Sequence, residues 1–593
     1  MSSVKNIIDN LERIGTIGSP STTNELTLDI LGVAVNKKLV GELALFDFTQ
    51  DGKEHVALGQ ITDIELRNSW LEDPTMRSLA RQRGQVNPIS GQQDVHLGDM
   101  SISAVFAEEN ESYEPSILGT VPQTGTYIKL ADDVVVNKLL ERHQQEIFYL
   151  GNVYGSTPKL PMWFKHFDRS SNDFQGGAGE AYHLGIFGKS GSGKSVLAKT
   201  AILGYSRHRN LGIFILDPQG EFSKDLKNSV NSTEMGNILN SHTLGNIHRN
   251  FKVYDLNNLI LKDWSLFFQL LTEFNFFFDL GIKNEKYQNH ASDYLNDFVH
   301  ENTSSIKLAE LTIENLKAIL QHLNSSIDKI YAGVKSEGAN RVKENILSAL
   351  EGIEKGKSSE RVLNTWNKTT QFFTMKDGKK TPGQIIHEVV GSTNNRPVIS
   401  IDLSVKPKDI TQYVWDEEIK PLIIYSFLNN MNNVAEHSYK NDKSLNTLIV
   451  IDEAHRLAPR GKIDNEKKEK IRSRLIDAVR TTRKYGLGWL FISQTLSSLD
   501  KDIIDQLRIN FFGFGLSMGS EFQALRELAG GEQKALKLYQ SFRDPHSAFT
   551  EKSRQYSFMT VGPISPLSFS GTPLFFTAFN TSQEFLNANN LNK

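Results

Sequence analysis

The chain has 593 residues, of which 39% are hydrophobic and 23% are charged, and its formal net charge is −3. A single core does not grow to this length, so we expect about three or four domains. The absence of cysteine excludes a disulfide framework and a thiolate metal site, and the acidic balance argues against a protein that coats nucleic acid with its whole surface.

The sequence contains no stretch that is typical of a targeting or membrane segment. Its first residues lack the apolar core of a signal peptide. The most hydrophobic stretch, residues 264–280, is too short and too polar to cross a bilayer. We therefore expect a cytoplasmic protein with no attachment to a membrane.

Short alternating apolar runs characterise the first 150 residues. Such runs occupy residues 26–30, 43–48 and 56–58, and turn signals such as Asp51-Gly52 separate them. This rhythm predicts a small β-domain over residues 1–150, either a barrel or a sandwich. We expect a linker over residues 151–180.

From residue 181 the pattern changes to strands that alternate with helices. Continuous apolar strands are predicted at 211–217, 398–403, 447–452 and 488–493. Unbroken apolar runs are typical of buried parallel strands, so we expect a doubly wound α/β core. The core is predicted in two parts, 181–257 and 393–560, with an α-helical insertion at 258–392 and a C-terminal tail at 561–593.

A phosphate-binding loop follows the first strand of this core. Residues 188–195 match G-x-x-x-x-G-K-[ST], with an apolar strand before them and a helix after them. Glycines let backbone N–H groups converge on phosphate, and the helix dipole adds positive potential. The flanking elements favour this interpretation over a Gly/Ser-rich surface loop. The predicted nucleotide-binding residues are Gly188, Ser190, Gly191, Ser192, Gly193, Lys194, Ser195 and Val196.

Within that loop, Lys194 is placed to reach the β- and γ-phosphates and Ser195 to bind Mg²⁺. A second acidic motif follows the strand 447–452, where Asp452 and Glu453 stand side by side. In phosphate-loop ATPases such carboxylates hold the Mg²⁺ shell and polarise the attacking water. The alternative is an acidic strand end that caps the next helix. His455 is interpreted as structural.

Three further polar residues each have both a functional and a structural interpretation. Arg480 and Arg483 lie near the end of a helix predicted at 466–485, where basic residues also suit the helix dipole. Either arginine could instead reach the γ-phosphate of a neighbouring subunit. Gln494, at the end of the strand 488–493, could orient water, or could simply belong to a turn.

Together these motifs, in this order, resemble those of HerA-type ATPases of the HerA/FtsK superfamily. The resemblance rests on the phosphate loop, Asp217-Pro218-Gln219-Gly220-Glu221-Phe222, Ile451-Asp452-Glu453-Ala454-His455, Arg483-Lys484-Tyr485-Gly486 and Ser493-Gln494. The segment that begins at Arg13 is similar to the family's N-terminal HAS-barrel. The resemblance therefore implies a RecA-like core with a small N-terminal barrel and an inserted helical subdomain.

The same resemblance implies a homohexameric ring that binds ATP and Mg²⁺ between subunits and double-stranded DNA in its channel. It gives Asp452 the role of Mg²⁺ ligand, Glu453 that of activating water, and Gln494 that of sensing the γ-phosphate. Arg483, or Arg480 one turn earlier, would act on the neighbouring subunit, which the C-terminal tail would brace. A nuclease or a sirtuin-like NAD-hydrolysing effector would dock on the barrel face, in anti-phage defence.

Other functions fit the sequence less well or remain open. Asp452-Glu453-Ala454-His455 also spells the DEAH motif of a different helicase superfamily, whose Gln-x-x-Gly-Arg-x-Gly-Arg motif is missing here. A conjugative or cell-division DNA pump is disfavoured because such pumps usually carry membrane segments. An ATP-binding ring that assembles and gates an effector, without substantial DNA translocation, remains an alternative to the motor.

Overall fold

The computed structural model describes residues 4–83, 92–109, 112–168, 177–230, 234–331, 337–355, 360–391, 394–408, 410–530, 533–568 and 571–592. The chain divides into two compact units. The first unit comprises Met1–Lys252, Val389–Ser400 and Asn432–Lys593, and the second comprises Val253–Glu388 and Ile401–Met431.

An antiparallel barrel forms the N-terminal part of the first unit. Its strands are β1 (Arg13–Ile17), β2 (Glu25–Ile30), β3 (Leu43–Gln50), β4 (Lys53–Asn68), β5 (Asp94–Glu109), β6 (Ser112–Ser116) and β7 (Tyr127–Leu130). The order is β2-β1-β7-β3-β4-β5-β6, and because β2 also pairs with β5, all strands except β6 close into a ring. Residues such as Ile14, Leu28, Phe46 and Met100 fill its interior. The structure thus confirms the barrel rather than the sandwich.

An eleven-stranded sheet follows the barrel. Its strands are β8 (Ile147–Val153), β9 (Lys159–Trp163), β10 (Leu184–Phe187), β11 (Gly212–Asp217), β12 (Phe251–Tyr254), β13 (Val398–Asp402), β14 (Thr447–Ile451), β15 (Leu487–Ser493), β16 (Ile509–Gly513), β17 (Ser557–Val561) and β18 (Leu574–Ala578). The order is β12-β13-β11-β14-β15-β10-β16-β17-β18-β8-β9.

The centre of this sheet is parallel. Strands β11, β14, β15, β10 and β16 pair in parallel with their neighbours in that order. All residues of these strands are buried, as expected for strands covered on both faces. The carboxyl ends of β10, β14 and β15 therefore meet at one edge. The fold class predicted from the motifs, a P-loop ATPase core of the RecA-like kind, is confirmed.

Helices pack around the barrel and the sheet in the first unit. They are Val4–Asp9, Ser69–Glu72, Pro74–Arg83, Asp133–Leu139, Lys194–Ser206, Glu221–Lys227, Ser241–Asn246, Ala454–Leu457, Glu466–Thr482, Lys501–Ile504, Gly519–Leu528, Gln533–Gln540 and Ser582–Ala588. None of the helices in the described ranges of the chain is long and apolar enough to cross a membrane.

The second unit is helical. Its helices include Trp264–Glu273, Phe276–Asp279, Glu285–Glu301, Ile313–Ile330, Glu337–Glu354 and Glu360–Thr370, while Pro382–Val390 and Lys420–Lys440 extend beyond it. Buried aromatic rings form its core: Phe267 packs edge to face against Phe268, Trp366 and Phe373. Such edge-to-face contacts favour a single arrangement of the rings.

Two segments differ from their sequence-based expectations. Residues 151–180, expected as a linker, contain the end of β8 and the whole of β9. β9 is the edge strand, where Pro161 can lie without removing a hydrogen bond from the ladder. Within 561–593, expected as a tail that braces a neighbouring subunit, β18 lies between β17 and β8 of its own sheet. β9 is short and contains Pro161, and β18 pairs with β8, which lies far from it in the sequence, so neither strand carries much local signal.

Candidate active site

Loops that follow β10, β14 and β15 line one cleft of about 1060 Å³. The cleft is lined by Ser190, Gly191, Gly193, Lys194, Ser195, Val196, Asp452, Glu453, Ile492 and Gln494, together with residues from 219–221, 234–236, 546–556 and 578–584. Gly188 and Ser192 belong to the phosphate loop but are not among the lining residues. Because the strands are parallel, three motifs that are distant in the sequence meet at this sheet edge.

Two glycines in the phosphate loop adopt left-handed backbone conformations. Gly191 has a φ of 79° and Gly193 a φ of 88°. A Cβ on Gly193 would lie 2.7 Å from Cδ1 of Tyr556, and one on Gly191 would collide with the ring of His546. Glycine is thus required for both conformation and packing. The helix Lys194–Ser206 begins directly after Gly193, so its first N–H groups are available to bind an anion.

Lys194 lies buried at the start of that helix. Its Nζ donates a hydrogen bond to the carbonyl of Lys189 at 2.9 Å. Burial lowers the pKa of the Lys194 ammonium, while the charges of Glu453, Asp452 and Glu221 raise it. Among the described residues the ammonium has one hydrogen-bond acceptor, this carbonyl, and phosphate oxygens would be stronger acceptors.

Asp452 and Glu453 stand buried at the end of β14. Burial and the charges of Asp217, Glu453 and Glu221 raise the pKa of Asp452 to about 7, although the N–H of Glu453 donates to its Oδ1 at 2.9 Å. Such a carboxyl holds a proton more readily than an ordinary aspartate, and a bound cation would compete with that proton. Glu453 has a φ of 51°, a strained conformation that is often found at functional sites.

The two oxygens of the Glu453 carboxylate lie in different environments. Oε1 accepts a hydrogen bond from Nε2 of Gln494 at 2.7 Å. Oε2 is buried, lies 3.6 Å from Nδ1 of His455 and 3.8 Å from Nε of Arg456, and accepts no hydrogen bond from the described residues. His455 in turn lies 3.2 Å from Oγ of Ser493. Gln494 therefore orients one oxygen and leaves the other able to accept a proton.

Ser195 and Asp452, the expected Mg²⁺ ligands, both line the cleft. Hydroxyl and carboxylate oxygens suit Mg²⁺, which usually keeps several waters and binds through one or two carboxylates and substrate phosphates. Across the described ranges, no group of three or more His, Cys, Asp or Glu side chains could hold a metal ion by itself. These residues therefore fit a cation whose coordination the phosphates and water complete.

Arg480 and Arg483 lie outside the cleft of their own chain. Arg480 pairs with Asp502 at 2.8 Å, and Nε of Arg483 lies 3.6 Å from Glu180. Both arginine side chains are about half exposed. The structure therefore brings Lys194 and Gln494 together with the carboxylates, but not either arginine.

Several cleft residues were not identified from the sequence. Gln219 and Glu221 belong to the segment 217–222, which is part of the family resemblance, but neither residue had an expected role. His546, Arg554 and Tyr556 precede β17 and belong to no recognisable motif. No local pattern could have identified them, because their place depends on the pairing of β17 with β16 and β18.

Residues 181–419 match the family model described as "Helicase HerA, central domain". Similar solved structures include VirB4 of Thermoanaerobacter pseudethanolicus, at 13% identity over 73% of this chain and 96% of that chain, with a TM-score of 0.34. The bacterial conjugative coupling protein TrwBdeltaN70 matches at 11% identity over 76% of this chain and 92% of that chain, with a TM-score of 0.34.

The genome packaging NTPase B204 from Sulfolobus turreted icosahedral virus 2, in complex with ATP-gammaS, matches at 10% identity over 67% of this chain and 98% of that chain, with a TM-score of 0.27. No curated protein matches the chain.

Proposed function

We propose that this chain, whose residues 181–419 match the central domain of HerA, is a HerA-type P-loop ATPase and that it hydrolyses ATP in the cleft beside its phosphate loop. The observation that carries the proposal is that Lys194, Glu453 and Gln494, from three distant segments, all line that cleft. Phosphoryl transfer to water needs a cradle for the phosphates, a cation and a group that activates the water. The cleft holds residues suited to each task.

In this proposal the phosphate loop binds the triphosphate. The residues involved are Gly188, Ser190, Gly191, Ser192, Gly193, Lys194, Ser195 and Val196. Lys194 would exchange its hydrogen bond to the Lys189 carbonyl for phosphate oxygens, and this exchange favours binding because the new acceptors are charged. Ser195 and Asp452 would hold Mg²⁺, which when bound supplies positive charge to the phosphate oxygens.

Glu453 is the proposed general base. Its Oε2 would accept a proton from water while the water oxygen bonds to the γ-phosphorus and the bond to the leaving ADP oxygen breaks. Gln494 keeps Oε1 of Glu453 in place through their 2.7 Å hydrogen bond. The same amide, which lines the cleft, would sense the γ-phosphate.

Two substitutions test the proposal with one matched control. Lys194→Ala is expected to abolish ATP binding, and Glu453→Gln to retain binding while slowing hydrolysis by about a hundredfold or more. Lys189→Ala removes an exposed lysine from the same loop and should leave hydrolysis near the wild-type rate. ATP binding and phosphate release are measured for each purified variant. Wild-type hydrolysis by Glu453→Gln would contradict the assignment of the base.

We further propose that the chain works as a homohexamer that translocates on double-stranded DNA. The half-exposed positions of Arg480 and Arg483, outside their own cleft, support a role for one of them at a neighbour's nucleotide. A nuclease or a sirtuin-like effector would bind the face of the N-terminal barrel, in anti-phage defence.

The alternative is a ring whose ATP binding assembles and gates the effector without substantial DNA movement. Glu453→Ala separates the two functions. If DNA processing disappears while effector assembly persists, the ring is a motor. If the effector assembles and acts normally with this variant, the ring is a scaffold.

A further inference from the structure

Carboxylates greatly outnumber cations around the candidate ATP site. The described acidic residues that line the cleft are Glu221, Glu234, Asp452, Glu453, Glu551 and Glu584. Of the described lining residues, those with a permanent positive charge are Lys194 and Arg554. A triphosphate is a polyanion, and binding it beside so many carboxylates requires compensating positive charge.

Arg554 is held at the cleft by the backbone around it. Its carbonyl accepts a hydrogen bond from Nδ2 of Asn580 at 2.8 Å. Two residues later, the carbonyl of Tyr556 accepts from the N–H of Ala578 at 2.8 Å. Both bonds join the segment before β17 to the end of β18 or to the residues just after it, and they hold the backbone that carries Arg554 beside the sheet.

The guanidinium of Arg554 is incompletely satisfied in the chain. Its Nε is buried and has no hydrogen-bond partner among the described residues. Its ion-pair partner is Glu551, at 3.6 Å, whose side chain is 86% exposed. Such an exposed ion pair contributes little to the stability of the fold, whereas a buried donor without an acceptor lowers that stability. A ligand with anionic oxygens would remove that cost.

We infer that Arg554 binds a phosphate of the nucleotide held by its own chain, an assignment that rests on the proposed function. Arg554 thereby differs from Arg480 and Arg483, which lie outside this cleft and are proposed to act on a neighbour's nucleotide. The site would then receive one arginine from each side of a subunit interface. Because the contact is to phosphate, it does not depend on the identity of the base.

Nucleotide affinity tests the assignment. We expect Arg554→Ala to raise the Kd for ATP by about tenfold or more, because a charge-assisted hydrogen bond is lost. The Kd for GTP should rise by a similar factor. Arg554→Lys, which keeps the charge without the planar fork, should lie between Arg554→Ala and the wild type. Arg543→Ala, an exposed arginine of the preceding segment, serves as the control and should bind like the wild type.

The outcomes separate this assignment from the proposed function. If the wild type binds ATP and Arg554→Ala binds it equally well, the assignment is wrong and the proposed function stands. If the loss occurs with ATP and not with GTP, a base contact replaces the phosphate contact. If the wild type binds neither nucleotide, the proposed function itself fails. Thermal unfolding of each variant checks that a loss of binding does not reflect a loss of fold.

Discussion

Buried acidic residues in the first unit fall into two kinds, and their hydrogen bonds distinguish them. Asp217 accepts from the N–H of Gly220 at 2.8 Å and from that of Ser223 at 2.7 Å, so both of its oxygens help to begin the helix Glu221–Lys227. Oε2 of Glu453 instead accepts no hydrogen bond from the described residues, although His455 and Arg456 lie 3.6 Å and 3.8 Å from it. Asp217 therefore has a structural role, whereas Glu453, which lines the cleft, has an oxygen that can accept a proton.

A third buried carboxyl, that of Asp225, links stability to pH. Burial raises the pKa of Asp225 to about 6, although Lys199, 3.5 Å away, opposes this effect. Because the pKa is raised from 3.8, the stability contributed by this group is fully present below 3.8 and is lost as the pH rises through about 6. We therefore expect the unfolding temperature of the wild type to fall over this window more steeply than that of Asp225→Asn.

Thermal unfolding of the nucleotide-free protein, recorded at several pH values across the window, measures this difference. Asp464→Asn is the matched control, because the side chain of Asp464 is 94% exposed. Its curve should parallel that of the wild type. A parallel curve for Asp225→Asn would contradict the prediction.

At the scale of elements, the phosphate loop is constrained by the segment that packs against it. Gly193→Ala should weaken ATP binding by about tenfold or more, because alanine is strained at a φ of 88° and its Cβ would press on Tyr556. Gly236→Ala is a control in the same cleft, since a Cβ there meets nothing within 4 Å. Titration with ATP measures both variants. Equal affinities for the two would contradict this explanation of the loop.

The barrel and the large sheet are joined by a buried glutamine. Oε1 of Gln60 accepts from the N–H of Phe575 at 2.7 Å, and its Nε2 donates to the carbonyl of the same residue at 3.0 Å. Gln60→Ala would leave the N–H of Phe575 buried without its acceptor, while the carbonyl of Phe575 would keep its 2.9 Å hydrogen bond from the N–H of Tyr154. We expect it to lower the free energy of unfolding by about 2 kcal/mol or more.

Gln50→Ala provides the comparison, because Gln50 makes the same pair of bonds, to the carbonyl of Ile117 and the N–H of Gly119, in an exposed setting. Water can replace those bonds, so its effect should stay below about 1 kcal/mol. Denaturant unfolding followed by fluorescence measures both variants. Equal losses would show that burial of the Phe575 backbone is not the source of the effect.

At the scale of the whole molecule, the proposal of a shared site predicts complementation between two inactive variants. Arg483→Ala chains would keep an intact phosphate loop, and Lys194→Ala chains would keep the arginine. Each variant alone should hydrolyse ATP slowly. For Arg483→Ala, the loss of an arginine finger should lower the hydrolysis rate by about a hundredfold or more relative to the wild type. Mixed rings would contain some sites with both groups, so mixing should restore part of the activity.

The mixture is assayed for phosphate release against the sum of the separate preparations. Repeating it with Arg480→Ala identifies which arginine acts across the interface. An activity no greater than the sum, for both arginines, would contradict a site shared between subunits. The mass of the ATP-bound wild type, measured in the same buffer, tests the hexamer directly.

Motifs carried by contiguous residues were predictable from the sequence. The phosphate loop and the strand before Asp452 depend on local backbone conformation and on uninterrupted apolar runs. The meeting of Lys194, Glu453 and Gln494 also followed, since parallel strands place their carboxyl ends at one edge. Edge strand β9, interrupted by Pro161, and strand β18 carried too little local signal to be distinguished from linker and tail.

The sequence by itself determined that this protein has a phosphate loop, an acidic strand end and a parallel α/β core, because each of these is encoded in neighbouring residues. Only the tertiary structure decided that β18 completes the chain's own sheet, that Gln494 holds Oε1 of Glu453, and that Arg554 lines the cleft. These features arise from contacts between residues far apart in the chain, and such contacts leave no local pattern in the sequence.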